Sequence, residues 1–305
     1  MVTIFDPGQA PTNQVNILDN GGMEIWQRGI TFTNPVNLTY LADRWAMASA
    51  GTTPTATVTR EPNITDTGNY ALKWNITSSS GNSQAYIYQL IENYQAYYGK
   101  TVTVSMRLNT SNSGMLLGLY DGVTFRSVAI PSNATYQTYS LTMPISTGAT
   151  QLLILFGNNG GAVSTGTFYM DSCMLVIGTN PATFVPIHPQ VDLARCQRYY
   201  EIMTGGRNYT GAMLTVIGGN QTYFPETFKV TKRVIPTITF QNLSATLYNA
   251  PTQGVAGGTS DTANWSVGAG TLSITAFFSD FTRTPVQTTS NTVALSWDWI
   301  ASADL

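Results

Sequence analysis

The chain has 305 residues with 14 Lys and Arg against 16 Asp and Glu, so no excess positive charge is available to hold phosphate, and a nucleic-acid-binding role is excluded. Charged residues make up 10%, against roughly 25% in an average soluble protein, so the surface must be polar but largely uncharged. Such a surface suits hydrogen bonding to sugars or to other subunits, and the length allows two domains that each bury a core. The longest apolar run, Leu152 to Phe156, is far short of a membrane span. The N-terminus, Met1-Val-Thr-Ile-Phe-Asp-Pro-Gly, has neither a basic region nor a continuous apolar core, so no secretory signal is expected. Cys173 and Cys196 sit in dissimilar contexts; a disulfide is open, and two reduced buried thiols is the favoured reading.

Residues 1 to 15 contain Pro7, Gly8, Pro11, Thr12 and Asn13 and show no structural period. They read as an extended arm: a frayed terminus, or a strap that attaches the protein to a particle through Ile4 and Phe5, kept extended by Pro7 and Pro11. The stretch Asn16 to Gly29 follows. Asn20-Gly21-Gly22 suits a tight reversal, and Met23, Ile25 and Trp26 are expected to anchor a first core strand, with Trp26 and Trp45 buried close together.

From residue 16 to about 180 the chain reads as strand after strand. Leu72, Trp74 and Ile76 alternate with polar residues, as do Val102, Val104, Met106 and Leu108, and later Phe168, Met170, Ser172, Met174 and Val176. Asp121-Gly122 is expected to close a two-residue hairpin, and the run Gln151 to Phe156 reads as a central strand. The fold class is therefore all-β: a jelly-roll sandwich over 16–180, then a Pro-rich linker and short helix over 181–206, then a smaller β domain over 207–305. Leu193, Cys196, Tyr199 or Tyr200, and Met203 share a helical face, with Asp192 near the positive end and Gly205-Gly206 as the stop.

Three phrases carry a resemblance to a family. Asn20-Gly-Gly-Met-Glu-Ile-Trp-Gln-Arg-Gly29 with Ala42-Asp-Arg-Trp45, then Asp192-Leu-Ala-Arg-Cys-Gln-Arg-Tyr-Tyr-Glu201, then Phe228-Lys-Val230 through Pro236-Thr-Ile-Thr-Phe240 to the ending Trp297-Asp-Trp, are similar to tailed-bacteriophage virion proteins of the head-fibre and tail-fibre kind. The first domain also resembles jelly-roll carbohydrate-binding modules, through Asn20-Gly-Gly-Met-Glu24, Gly99-Lys-Thr-Val-Thr-Val104, Tyr136-Gln-Thr-Tyr-Ser-Leu-Thr142 and Tyr169-Met-Asp-Ser-Cys-Met-Leu175. The resemblance implies a structural subunit of a virion surface, a fibre or decoration protein assembled in the host cytoplasm. It also implies a homo-oligomer, a trimer by the habit of such fibres, with capsid or tail proteins as partners and weak affinity for a host-surface glycan. A dedicated receptor-binding or carbohydrate-binding protein is the alternative, and a polysaccharide depolymerase a remote third. Sugar-binding modules of this type commonly hold a structural calcium, which implies Glu24 and Asp171 as ligands here. The family's paired Asp-Asp is Asp171-Ser172 in this chain, so one ligand is missing, and Asp171 otherwise reads as a solvated strand residue.

No catalytic residues are expected. The single histidine, His188, lies in the linker; the carboxylates Asp19, Glu24, Asp43, Glu61, Asp66, Glu92 and Asp171 offer pairs for glycoside hydrolysis, but scattered acids give such pairs by chance, and no β-helix repeat is visible. Tyr86, Tyr88, Tyr94, Tyr97 and Tyr98, interleaved with Gln84, Gln89, Asn93 and Gln95, form a cluster suited to stacking on pyranose rings or to a subunit interface.

Overall fold

The computed structural model describes residues 15–51, 53–62, 70–79, 84–133, 135–158, 164–212, 215–216, 219–249, 259–260, 265–269, 272–283 and 291–305. Ile4, Phe5, Pro7 and Pro11 of the expected arm lie outside these residues, as does most of the loop Pro251 to Asp261. The chain divides into two compact units, one of residues 1–196 with Leu305 and one of residues 197–304.

The first unit is a sandwich of two antiparallel sheets. Its strands are β1 (Thr31–Thr33), β2 (Ala46–Ala50), β3 (Thr55–Pro62), β4 (Tyr70–Ser78), β5 (Gln84–Leu90), β6 (Thr101–Thr110), β7 (Met115–Tyr120), β8 (Phe125–Ile130), β9 (Gln137–Pro144), β10 (Leu153–Asn158) and β11 (Gly166–Ile177). They order as β1-β3-β4-β11-β6-β9 in one sheet and β2-β5-β10-β7-β8 in the other, so apart from the hairpins β3-β4 and β7-β8 successive strands jump between sheets as a jelly roll requires. The alternation in the sequence has its cause here. Leu72, Trp74 and Ile76 on β4, and Met106 and Leu108 on β6, point inward against Ile87, Ile154 and Phe156 of the facing sheet. The run at β10 is buried on both sides because Ile154 and Phe156 join the core while Leu153 and Leu155 pack with Tyr86, Tyr88 and Tyr120 on the other face.

Four details depart from the sequence reading. The stretch after Asn16 is not a strand but a folded loop, and the first strand begins only at Thr31. Strand β6 is covered on both faces near its start, because Thr103 Oγ1 donates to Gly178 O at 2.7 Å and Ser105 Oγ to Ala182 O at 3.4 Å. The proline-rich segment thus packs on the sandwich, with Phe184 against Met174, Val176 and Ala182. The Asp121-Gly122 loop has four residues rather than two, since Tyr120 pairs with Phe125. Its geometry is set by the Asp121 side chain, which accepts the N–H groups of Val123 at 2.9 Å, Thr124 at 2.6 Å and Ser146 at 2.9 Å. Three donors hold an open loop better than a two-residue turn would, and burial alone would raise this carboxyl, yet the N–H donors keep it below its ordinary value.

The helix also differs. α1 (Pro189–Gln197) starts on a proline whose missing N–H costs nothing in the first turn, and His188 O accepts from Val191 and Asp192 N–H. It ends before Tyr199, so Tyr199, Tyr200 and Met203 are not on its face, while Asp192 lies in its first turn, at the positive end. From Tyr200 the second unit begins a strand, because Tyr200 pairs with Ser302 and Met203 with Trp299. The second unit contains β12 (Tyr200–Ala212), β13 (Thr215–Val216), β14 (Gly219–Thr227), β15 (Thr237–Asn249), β16 (Thr259–Ser260), β17 (Trp265–Ala269), β18 (Ala276–Arg283) and β19 (Asn291–Ser302), in sheets β12-β19-β15-β16 and β13-β14-β18-β17. Both sheets feed one aromatic core of Phe224, Phe228, Phe277, Phe281, Trp297 and Trp299, in which Phe281 and Trp297 stand 4.6 Å apart. Beside it the wholly buried Lys232 ammonium donates to Glu201 and to Gln197 O, under the Phe228 ring at 4.8 Å.

Candidate functional site

The opening loop is a polar hub rather than a strand. Asn16 clamps the last strand, donating from Nδ2 to Cys173 O at 2.9 Å and accepting the Leu175 N–H at 3.0 Å. Asn20, fully buried and left-handed at φ 51°, donates to Ile25 O and Asp43 O and accepts the Ile25 N–H, while its own carbonyl receives the Trp45 indole at 3.0 Å. Trp26 and Trp45 are both buried in the one core, as expected, with the Trp26 indole donating to Met23 O at 2.7 Å. Arg44 pairs with Asp19 at 3.1 Å and donates to Leu90 O, and Arg28 stands 3.9 Å from Asp43. Helix α1 docks on the same loop, for Asp192 accepts the Asn20 N–H at 3.0 Å and Arg195 reaches Asp19 at 2.8 Å.

This hub locates the residues implied as calcium ligands. Glu24 borders a small cavity with Gly22, Phe184, Pro186, Ile187 and Asp192, and its charge helps burial push the Asp192 carboxyl up. Asp171 is wholly buried on β11 beside a bulge, accepting the Ser172 N–H at 2.6 Å; it is not a solvated strand residue, because Ser172 turns left-handed and draws the carboxylate into the sheet. Among the described residues no three His, Cys, Asp or Glu side chains gather into one group. Cys173 and Cys196 are free and buried, and burial pushes both thiols far up.

The five tyrosines divide. Tyr86 and Tyr88 project from the outer face of β5, 5.9 Å apart and edge to face. Tyr94, Tyr97 and Tyr98 belong instead to the turn beyond Ile91, where Tyr94 and Tyr97 pack on the core and the Tyr98 hydroxyl donates to Ala149 O at 2.8 Å. Gln89 is not available to a sugar, since it is buried and bonds both backbone groups of Asp19.

Cross-strand register supplies the partners that local sequence hid. One row across the sheet reads Ala46, Tyr88, Leu155, Gly118, Ser127; the next reads Ala48, Tyr86, Gly157, Leu116, Ala129; a third reads Leu90, Leu153, Tyr120, Phe125. Tyr120 and Phe125 form a second edge-to-face pair at 6.4 Å, and Tyr40 joins at the rim. Gly118 and Gly157 keep the floor low. A Cβ at Gly157 would lie 2.4 Å from Ala85 O, and one at Gly118 would lie 3.0 Å from both Leu155 and Phe125. Burial raises the Tyr86 phenol, helped by Tyr120, and the Tyr88 phenol, helped by Tyr86, so these two hydroxyls stay protonated. Aromatic faces over an aliphatic floor, tipped by neutral hydroxyls, can stack on sugar rings and bond their hydroxyl groups.

No family model matches this chain, and no curated protein does. Among solved structures, it is similar to the enzymatically active domain of bacteriophage CBA120 tailspike protein 4, with a TM-score of 0.39 and 16% identity over 53% of this chain. The match spans 21% of that tailspike. It is also similar to TmCBM61 in complex with β-1,4-galactotriose, with a TM-score of 0.37 and 13% identity over 54% of this chain and 99% of that one. A putative sugar binding protein from Bacteroides thetaiotaomicron gives a TM-score of 0.39 at 9% identity, over 54% of this chain and all of that one.

Proposed function

We propose that this protein is a non-enzymatic surface subunit of a bacteriophage virion that binds a host-surface glycan on the outer face of its five-stranded sheet. The observation that carries the glycan reading is the aromatic face of Tyr86, Tyr120 and Phe125, set around the buried Tyr88, with no charged residue in its register rows. The virion role rests on the three phrases of sequence resemblance. A glycan array with the purified protein and its Tyr86→Ala variant tests the first part. Binding that Tyr86→Ala abolishes supports it, and binding untouched by the substitution moves the site elsewhere. Localising the chain in a virion reconstruction tests the second. Sugar release from host polysaccharide would replace the non-enzymatic reading with the depolymerase one.

Three further parts belong to the same proposal. The subunit is a homotrimer, which a monomer mass by light scattering at high concentration would refute. Residues 1–15 attach it to capsid or tail, so deleting them should leave a folded protein that fails to decorate particles. Glu24 and Asp171 hold a structural calcium, whose missing oxygens would come from backbone carbonyls and water; a thermal midpoint indifferent to chelator and to added calcium would remove it.

A further inference from the structure

Resting on the glycan reading, we infer that the ligand of this face is an uncharged saccharide, and that host-surface polymers bearing carboxylate or phosphate are selected against. Side chains alternate along every strand of the five-stranded sheet, so the three register rows, with Ala50 opposite Gln84 beyond them, hold the outward positions of the paired strands, and none of those positions is Asp, Glu, Lys or Arg. A sugar carboxylate or phosphate seated there would lose water without gaining a cation, and a buried unpaired charge is unfavourable.

The nearby basic side chains are spoken for. Arg28 lies over the Tyr40 ring at 4.7 Å at the rim, beside Asp43. Arg44 is buried and engaged by Asp19 and Leu90 O. Arg126 is on the edge strand but has the opposite parity, opposite the core residue Leu119, and reaches toward Thr142 O. The phenols supply both donors and acceptors, which match the hydroxyls of a neutral sugar; Tyr88 is buried in the patch, while half-buried Tyr86 and Tyr120 and exposed Phe125 present the ring surface.

The test is titration calorimetry of the full chain with soluble neutral polysaccharides (galactan, glucan, mannan) and with acidic ones (polygalacturonate, polysialate, a phosphorylated teichoic acid), at low and high sodium chloride. The expected result is binding to a neutral polymer, unchanged within about twofold between the two salt levels because no ion pair is screened, and weakened about tenfold in Tyr86→Ala. Binding to an acidic polymer that fades with salt, and that Tyr86→Ala weakens, would overturn the neutral-ligand inference while leaving the glycan reading intact. Acidic binding unaffected by Tyr86→Ala would overturn the assignment of this face. Failure to bind any polymer of either set would bring down the glycan reading and the inference with it.

Discussion

Replacing Asn20 with alanine should be among the most damaging single changes in the first unit, although it removes no apolar surface. Three hydrogen bonds disappear with the amide: those donated to Ile25 O at 2.8 Å and Asp43 O at 3.0 Å, and the one accepted from Ile25 N–H at 3.0 Å. At about 1 kcal/mol each, with the fully enclosed Asp43 carbonyl at the upper end, these sum to roughly 3–4 kcal/mol. Alanine at φ 51° adds about 1 kcal/mol of backbone strain that asparagine tolerates better. The total, about 4–5 kcal/mol, is a large share of the 5–15 kcal/mol that typically holds a domain. Asn20→Gly removes the same bonds without the strain and should recover about 1 kcal/mol, which separates the two causes. Urea unfolding followed by hydrogen exchange of β6, β10 and β11 amides gives the measurement. Loss of less than about 1 kcal/mol in Asn20→Ala would show that water or neighbours replace these bonds, and that the hub is not what holds the loop.

Two carboxylates give opposite pH signatures. Asp121 is held below its ordinary value, so its contribution is present above the unfolded value near 3.9 and lost as pH falls through the folded one; Asp121→Asn should be less stable at neutral pH and should flatten the acid limb of the denaturation midpoint. Asp192 is raised by burial, so its contribution is fully present below the unfolded value and lost as pH rises through the folded one; Asp192→Asn should remove that loss, seen as a shallower fall in midpoint just above pH 4. Lys232→Ala leaves Glu201 buried and uncompensated and should cost the second unit about 3–5 kcal/mol by urea unfolding, whereas a double change of both residues to apolar ones should recover much of it. Gly157→Ala would force β5 and β10 apart beneath Tyr86, and should lower both the thermal midpoint and glycan affinity, while an alanine at exposed Gly148 changes neither.

Strands were legible where one side of the sheet alone is buried, as at Leu72-Trp74-Ile76, because burial then writes a period of two into the sequence. The reading failed where local spacing competed with register. Leu193, Cys196, Tyr199 and Met203 recur at helical intervals, yet backbone pairing of Tyr200 with Ser302, about a hundred residues away, converts the last of them to strand. The aromatic cluster was half legible for the same reason. Tyr86 and Tyr88 alternate on one strand and could be found, but Tyr120 and Phe125 come to them only through pairing of β10 with both β5 and β7, which no local pattern records. Tyr94, Tyr97 and Tyr98 stand near Tyr86 and Tyr88 in sequence but belong to the turn after Ile91, where Tyr94 and Tyr97 pack half-buried against the core and Tyr98 is exposed. The opening phrase was legible as central from its glycines and tryptophans; that its asparagines and aspartate do the holding was not.

The docking of α1 on residues 16–20 has a mechanical consequence. A pull applied between residue 15 and the end of α1 meets first the Asp19–Arg195 pair and the Asn20–Asp192 bond, and then the Asn16 clamp on β11. Tension entering at one end of the first unit therefore leaves at nearly the same place, and the ladders of both sheets stand outside its path. A subunit tethered through its beginning and tugged from beyond its helix would yield by peeling the helix from the loop before any strand slides. Its five-stranded sheet would keep its shape under loads that already strain the tether.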